Sequence, residues 1–170
     1  MKKKNEAKIE IKTNSDADDA TVIKSDNKNN SFFTVGIGAS AGGLDALEKL
    51  FSNLSPATGM AFIIVSHLDP NHISIMPELI QKYTDMKLLQ AKEGMQIRPN
   101  HIYVAPANFE IGLLNGKIKL TPPIEAHGFR LPIDFFFKSL AKDFKKNAIG
   151  IILLGMASDG TQGIKAIKNE

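Results

Sequence analysis

From Phe32 onward, apolar and polar positions alternate between two patterns that predict strands and helices in turn. Phe32-Phe33-Thr34-Val35-Gly36-Ile37-Gly38 is a short apolar run ending in glycines, as expected of a buried strand. Leu44, Leu47, Leu50, Phe51 and Leu54 then recur at helical spacing. Residues 60–65 (Met-Ala-Phe-Ile-Ile-Val) form a second buried strand, and residues 73–83 put Ile73, Met76, Leu79 and Ile80 on one helical face. Residues 87–91 and 101–105 read as short strands. Residues 109–114 and 117–120 flank Asn115-Gly116, and Asn-Gly supplies the positive φ angles of a two-residue hairpin turn. Pro132 suits the first turn of a helix whose apolar face runs over 133–144. Residues 148–154 read as a third buried strand, and a last helix starts near Thr161. Strands apolar on both faces and alternating with helices predict a three-layer α/β domain. Its sheet is mainly parallel, with helices on both faces and one β-hairpin.

Residues 1–31 follow neither pattern. They hold seven lysines, six acidic residues and five asparagines but no aromatic residue, too little apolar surface to offset the cost of ordering. The expected organisation is therefore a disordered charged tail over 1–31 and a folded domain over 32–170. No apolar run approaches the roughly 20 residues that span a bilayer, and none follows Lys2, Lys3 and Lys4 as in a secretory signal. The absence of cysteine excludes disulfides and thiolate metal sites, in keeping with the cytoplasm. The net charge of +3 is spread over mixed acids and bases with no tryptophan and no basic stripe, which argues against a nucleic-acid partner.

In an open parallel sheet, ligands bind beyond the carboxyl ends of the strands, which directs attention to three loops. Gly38-Ala39-Ser40-Ala41-Gly42 matches G-x-S-x-G, a tight strand-to-helix turn that exposes a nucleophilic serine beside free helix N–H groups. Alternatively Ser40 is an N-cap, or Gly36, Gly38 and Ala41 form a relaxed dinucleotide fingerprint with Asp69 as its acidic partner. His67 follows the second strand, as a general base or a structural histidine. Asp159 follows the third, as an orienting carboxylate, or Ser158 or Asp159 caps the helix that follows. Asp69 and Asp134 are rival acids, and His72, His101 and His127 show no metal-ligand spacing. Together the loops offer a serine, a histidine and an aspartate at three strand ends, which a triad requires and a dehydrogenase does not. In a triad Ser40 attacks a carbonyl, His67 moves the proton and Asp159 orients the imidazole. The order Ser, His, Asp differs from that of α/β-hydrolases.

These loops resemble those of the catalytic domain of bacterial chemotaxis protein-glutamate methylesterases, the CheB family, and the likeness extends over about 33–170. It is carried by Val35-Gly36-Ile37-Gly38-Ala39-Ser40-Ala41-Gly42-Gly43, by His67-Leu68-Asp69-Pro70 and by Pro99-Asn100-His101-Ile102-Tyr103-Val104-Ala105-Pro106. Arg130-Leu131-Pro132-Ile133-Asp134 and Gly155-Met156-Ala157-Ser158-Asp159-Gly160 complete it. The resemblance implies Ser40 as nucleophile, His67 as base and acid, Asp159 as orienting carboxylate, and the backbone N–H groups of Ala41 and Met156 as oxyanion donors. It implies hydrolysis of glutamyl methyl esters on the cytoplasmic helices of methyl-accepting chemoreceptors, with deamidation of receptor glutamines by the same route and no cofactor or metal. The Pro132 segment is most similar to versions fused to a chemoreceptor methyltransferase (the CheB–CheR type). Three departures stand out. The tail is too short for the receiver domain of regulated members, Ala157 replaces a usual glycine, and the family domain continues past the equivalent of Glu170. The competing expectation is a truncated, non-catalytic receptor-binding fragment.

Overall fold

The computed structural model describes residues 31–40, 42–66, 76–122, 131–153 and 158–170. The tail read over 1–31 lies outside the described residues except for Ser31. Among the described residues the strands are β1 (Thr34–Ala39), β2 (Ala61–Ser66), β3 (Lys87–Gln90), β4 (His101–Val104), β5 (Glu110–Leu114), β6 (Lys117–Thr121) and β7 (Ala148–Leu153). The α-helices are α1 (Leu44–Ser52), α2 (Met76–Gln81), α3 (Pro132–Phe144) and α4 (Thr161–Lys168). The sheet order is β3-β4-β2-β1-β7 with every pairing parallel, and β5 and β6 form a separate antiparallel hairpin. This is the three-layer architecture expected from the alternating pattern.

Alternation along each strand divides the core between the two faces of the sheet. Val35, Ile37 and Ala39 of β1 join Phe62, Ile64, Ile102 and Val104 against Leu47 and Phe51 of α1 and Ile80 of α2. On the other face Ile63, Val65 and Tyr103 meet Ile133, Phe136, Phe137 and Leu140 of α3, together with Ile111, Leu113 and Ile118 of the hairpin. Phe136 and Phe137 are fully buried, each contributing about 1.5–3 kcal/mol relative to an exposed side chain.

Polar contacts fasten the hairpin to this second layer. Its turn residues Asn115 and Gly116 take φ of 54° and 71°, the pair of positive angles that Asn-Gly supplies. Their N–H groups donate to the two carboxylate oxygens of Asp143 at 2.7 and 2.8 Å. Ser139 Oγ donates to the Phe136 carbonyl and accepts the Leu113 N–H, so one hydroxyl joins α3 to β5.

Two local expectations need correction. β7 is half-buried rather than buried, because it forms an edge of the described sheet, and Ile152 on it is exposed. Its Gly150 lies under Ile164 and Ile167 of α4, which covers only one face of the strand. The helix expected over 73–83 spans Met76–Gln81, with 73–75 outside the described residues.

Candidate active site

The sheet order starts the three chemistry-bearing loops from neighbouring strand ends. β1 lies between β2 and β7, and Ala39, the residue before Ser40, pairs with both Ser66 and Leu153. Ser66 in turn is the residue before His67, and Leu153 leads toward Asp159. Adjacent strands are about 4.8 Å apart, so the segments leaving β2 and β7 start beside Ser40.

Ser40 is half-buried and opens the turn into α1, its carbonyl accepting the Gly43 N–H at 2.8 Å. The N-cap of α1 is Gly43 and carries no side-chain cap, so the reading of Ser40 as that helix's N-cap is set aside. A side chain at Gly43 would sit 2.9 Å from the Ala39 Cβ, which explains a glycine there.

The dinucleotide reading of Gly36, Gly38 and Ala41 also gives way. Gly36 and Gly38 lie inside β1 rather than in the loop beyond it, where a phosphate would approach. A Cβ on Gly36 would come within 2.7 Å of Phe136 Cε1 and 2.8 Å of Leu140 Cδ2, and one on Gly38 within 2.6 Å of Ile133 Cγ2. These glycines therefore serve the close approach of α3 to β1.

Asp159 is buried, and its carboxylate caps a helix other than the one expected. Its Oδ2 accepts the Ile133 N–H at 3.0 Å and its Oδ1 the Asp134 N–H at 2.8 Å. The N-terminus of α3 is thereby fully accounted for. Pro132 has no N–H, Ile133 and Asp134 donate to Asp159, and Phe135 donates to the Leu131 carbonyl at 3.0 Å. Ile133, whose N–H holds Asp159, also packs its side chain on Gly38, two residues before Ser40. The same residue thus links the Asp159 carboxylate to the strand that delivers the serine. A carboxylate has about four acceptor positions, so two helix bonds are compatible with a further donor such as an imidazole N–H.

Asp134, weighed above as a rival acid, is buried in the first turn of α3 and its Oδ1 accepts the Gly163 N–H of α4 at 2.7 Å. The caps are crossed: the aspartate before α4 caps α3, and the aspartate in the first turn of α3 caps α4. The sequence does carry a signal for this. α4 opens on Gly160, which has no capping side chain, and its first turn has no acidic residue, so its N–H groups need an acceptor from elsewhere.

His67, Ala41 and Met156 lie outside the described residues, as do Asp69, His72 and His127. His101 is the first residue of β4 and makes local structural contacts. Its Nδ1 lies 2.8 Å from the Pro99 carbonyl, to which it donates, and its ring stacks on Tyr103. Among the described residues no group of three or more His, Cys, Asp or Glu side chains could hold a metal ion. An open groove of about 720 Å³, lined by residues such as Leu114, Lys142, Lys145 and Glu170, lies at the opposite end of α3 from Asp159.

The model of the CheB methylesterase family matches residues 35–170. The chain belongs to the CheB methylesterase family. Similar members include the protein-glutamate methylesterase/protein-glutamine glutaminase of Photorhabdus laumondii, 33% identical over 138 residues that cover 79% of this chain and 39% of that protein. The protein of the same name from the group 3 operon of Pseudomonas putida is 35% identical over 137 residues, covering 80% of this chain and 41% of that one. The chain thus spans about two fifths of the length of the curated relatives it matches. The crystal structure of the Thermotoga maritima CheB methylesterase catalytic domain superposes with a TM-score of 0.74 at 28% identity, covering 82% of this chain and 76% of that one. The family's α/β fold is therefore shared, and its members' names describe hydrolysis of protein glutamate esters and glutamine amides.

Proposed function

We propose that this chain is a protein-glutamate methylesterase acting through Ser40, His67 and Asp159. The observation that carries the reading is the strand order, which sets β1 between β2 and β7 and starts all three loops side by side. The buried Asp159 carboxylate, held through Ile133 beside Gly38, supports it further. Ser40 Oγ bonds to the glutamyl carbonyl carbon as its proton passes to His67, and the negative oxygen of the tetrahedral intermediate accepts the backbone N–H groups of Ala41 and Met156. The bond to the methoxy group breaks, His67 returns the proton, and methanol leaves. Water then attacks the acyl-enzyme with His67 again as base, releasing glutamate and Ser40. Asp159 orients the imidazole throughout and stabilises its charged form. A glutamine side chain would follow the same route with ammonia as the leaving group.

The proposed substrates are methylated glutamates on the cytoplasmic domain of chemoreceptors, with a chemoreceptor methyltransferase as a functional partner and the cytoplasm as the setting. No helix among the described residues is long and apolar enough to cross a membrane. The test is labelling of the chain by a serine-reactive fluorophosphonate, followed by methanol release from methylated receptor. Labelling at Ser40 that is lost in His67→Ala and in heat-unfolded protein supports the reading. Ser40→Ala should lower turnover by roughly 10⁶. A cooperatively folded chain that neither labels nor releases methanol would refute it and favour a receptor-binding module.

A further inference from the structure

We propose that Asp134 is a positioning residue, which holds the Asp159 carboxylate in place by tying the start of α4 to the start of α3. The proposal rests on the esterase reading and concerns a residue outside the proposed triad. Asp159 lies two residues before Thr161, the first residue of α4, with only Gly160 (φ 96°) between them. A displacement of the α4 N-terminus therefore acts on Asp159 through one intervening residue and through the Thr161 N–H bond to the Ser158 carbonyl. The carboxylate of Asp134 opposes such displacement through the 2.7 Å bond from the Gly163 N–H, while the Asp134 N–H itself donates to Asp159 Oδ1 at 2.8 Å. One residue thus receives α4 through its side chain and holds Asp159 through its backbone.

Burial gives this connection its stiffness. Asp134 is 3% exposed and Gly163 is also buried, so water does not readily replace a lost acceptor. The helices leave no slack at this point, because a Cβ on Gly163 would overlap the Phe137 Cβ. Without the Asp134 carboxylate, the Gly163 N–H loses this acceptor and the start of α4 is free to move relative to α3. That movement draws Asp159 off Ile133 and Asp134, and with it the orientation Asp159 gives to the base.

The alternative role for Asp134, as the carboxylate that itself orients His67, makes an opposite prediction for the amide variant. An asparagine at 134 keeps an oxygen to accept the Gly163 N–H but cannot supply negative charge. The experiment compares the full chain with Asp134→Asn, Asp134→Ala and Asp159→Asn. It measures the maximal rate and half-saturation of Ser40 labelling by a fluorophosphonate, and amide hydrogen exchange of the folded proteins. Asp134→Ala is expected to lower the maximal labelling rate about 10- to 100-fold with unchanged half-saturation, the scale of a small misplacement of a catalytic group. Asp134→Asn should retain most of the rate, and Asp159→Asn should lose about 10⁴. In Asp134→Ala the amides of Gly163 and Ile133 should lose protection together, while the Leu113 amide, held by Ser139, keeps it.

Wild-type labelling by a folded Asp134→Ala, unchanged Ile133 protection, or an Asp134→Asn as inactive as Asp159→Asn would each overturn the proposal. If Asp134→Ala does not fold, Asp134→Asn decides: retained labelling supports positioning and lost labelling refutes it. A folded wild-type chain that does not label at Ser40 refutes the esterase reading and the catalytic role with it. The joint exchange of Gly163 and Ile133 still tests the tie between the helices.

Discussion

Gly38→Ala tests the packing that brings α3 onto β1. The new Cβ would lie 2.6 Å from Ile133 Cγ2 and 3.1 Å from Cδ1. Carbon atoms in favourable contact sit at about 3.5–4.0 Å, so Ile133 would have to retreat by roughly 1 Å. Ile133 is buried among the side chains of the second core and has little space to do so. Overpacking of this kind costs about 1–3 kcal/mol, against a gain of about 0.4–1 kcal/mol from the less flexible unfolded chain. The net expectation is a loss of about 1–2 kcal/mol. It should appear as a lower urea midpoint at unchanged slope. Ile133→Ala alone should cost about 2–5 kcal/mol by opening a cavity. In the double variant the new methyl occupies part of that cavity, so the combined loss should fall short of the sum by about 1–2 kcal/mol. Gly112→Ala is the control. Its Cβ would meet Phe135 and Ser139 at an ordinary 3.4–3.6 Å, and it should be neutral or slightly stabilising. A Gly38→Ala variant as stable as wild type, or additivity within about 0.5 kcal/mol in the pair, would refute the reasoning.

Two further predictions concern polar groups away from the site. Thr34 is fully buried and its Oγ1 has no hydrogen-bond partner among the described residues, so Thr34→Val should raise stability by about 1 kcal/mol, read from the urea midpoint. A lower midpoint would contradict an unsatisfied hydroxyl. Glu93 accepts the Leu120 N–H and pairs with Lys119 Nζ, both at 2.6 Å, and these bonds hold its carboxyl below the usual range, the Leu120 bond most strongly. A depressed folded-state value means stability that is present above the unfolded glutamate pKa and lost as pH falls through the folded one. Glu93→Gln should therefore flatten this part of the decline in Tm on acidification from about pH 5, an effect kept small because the pair is half-exposed. An unchanged acid limb would show that Glu93 carries no linked stability.

The elements of this protein were legible in its sequence because each depends on neighbours in the chain. Helical spacing of Leu44, Leu47 and Phe51 predicts α1, Asn115-Gly116 predicts the hairpin turn, and Pro132 marks the first residue of α3. Three loops carrying a serine, a histidine and an aspartate could likewise be read directly, and the family resemblance with them. Order in the sheet could not, since nothing local to residues 148–153 says that they pair with β1 rather than with another strand. The glycines at 36 and 38 were ambiguous for the same reason. A phosphate and a tightly packed helix both call for a missing Cβ, and only the side chains of Ile133, Phe136 and Leu140, about a hundred residues further along, show which is present. The partners of the two aspartates lay further still from local reach. Asp159 looked like a cap for the helix beside it, but its bonds go to Ile133 and Asp134, and Asp134 serves Gly163 in return. Which N–H group a buried carboxylate meets depends on how two helices dock. That docking includes the close approach of Phe137 to Gly163, a contact between distant segments that exists only once the chain has folded.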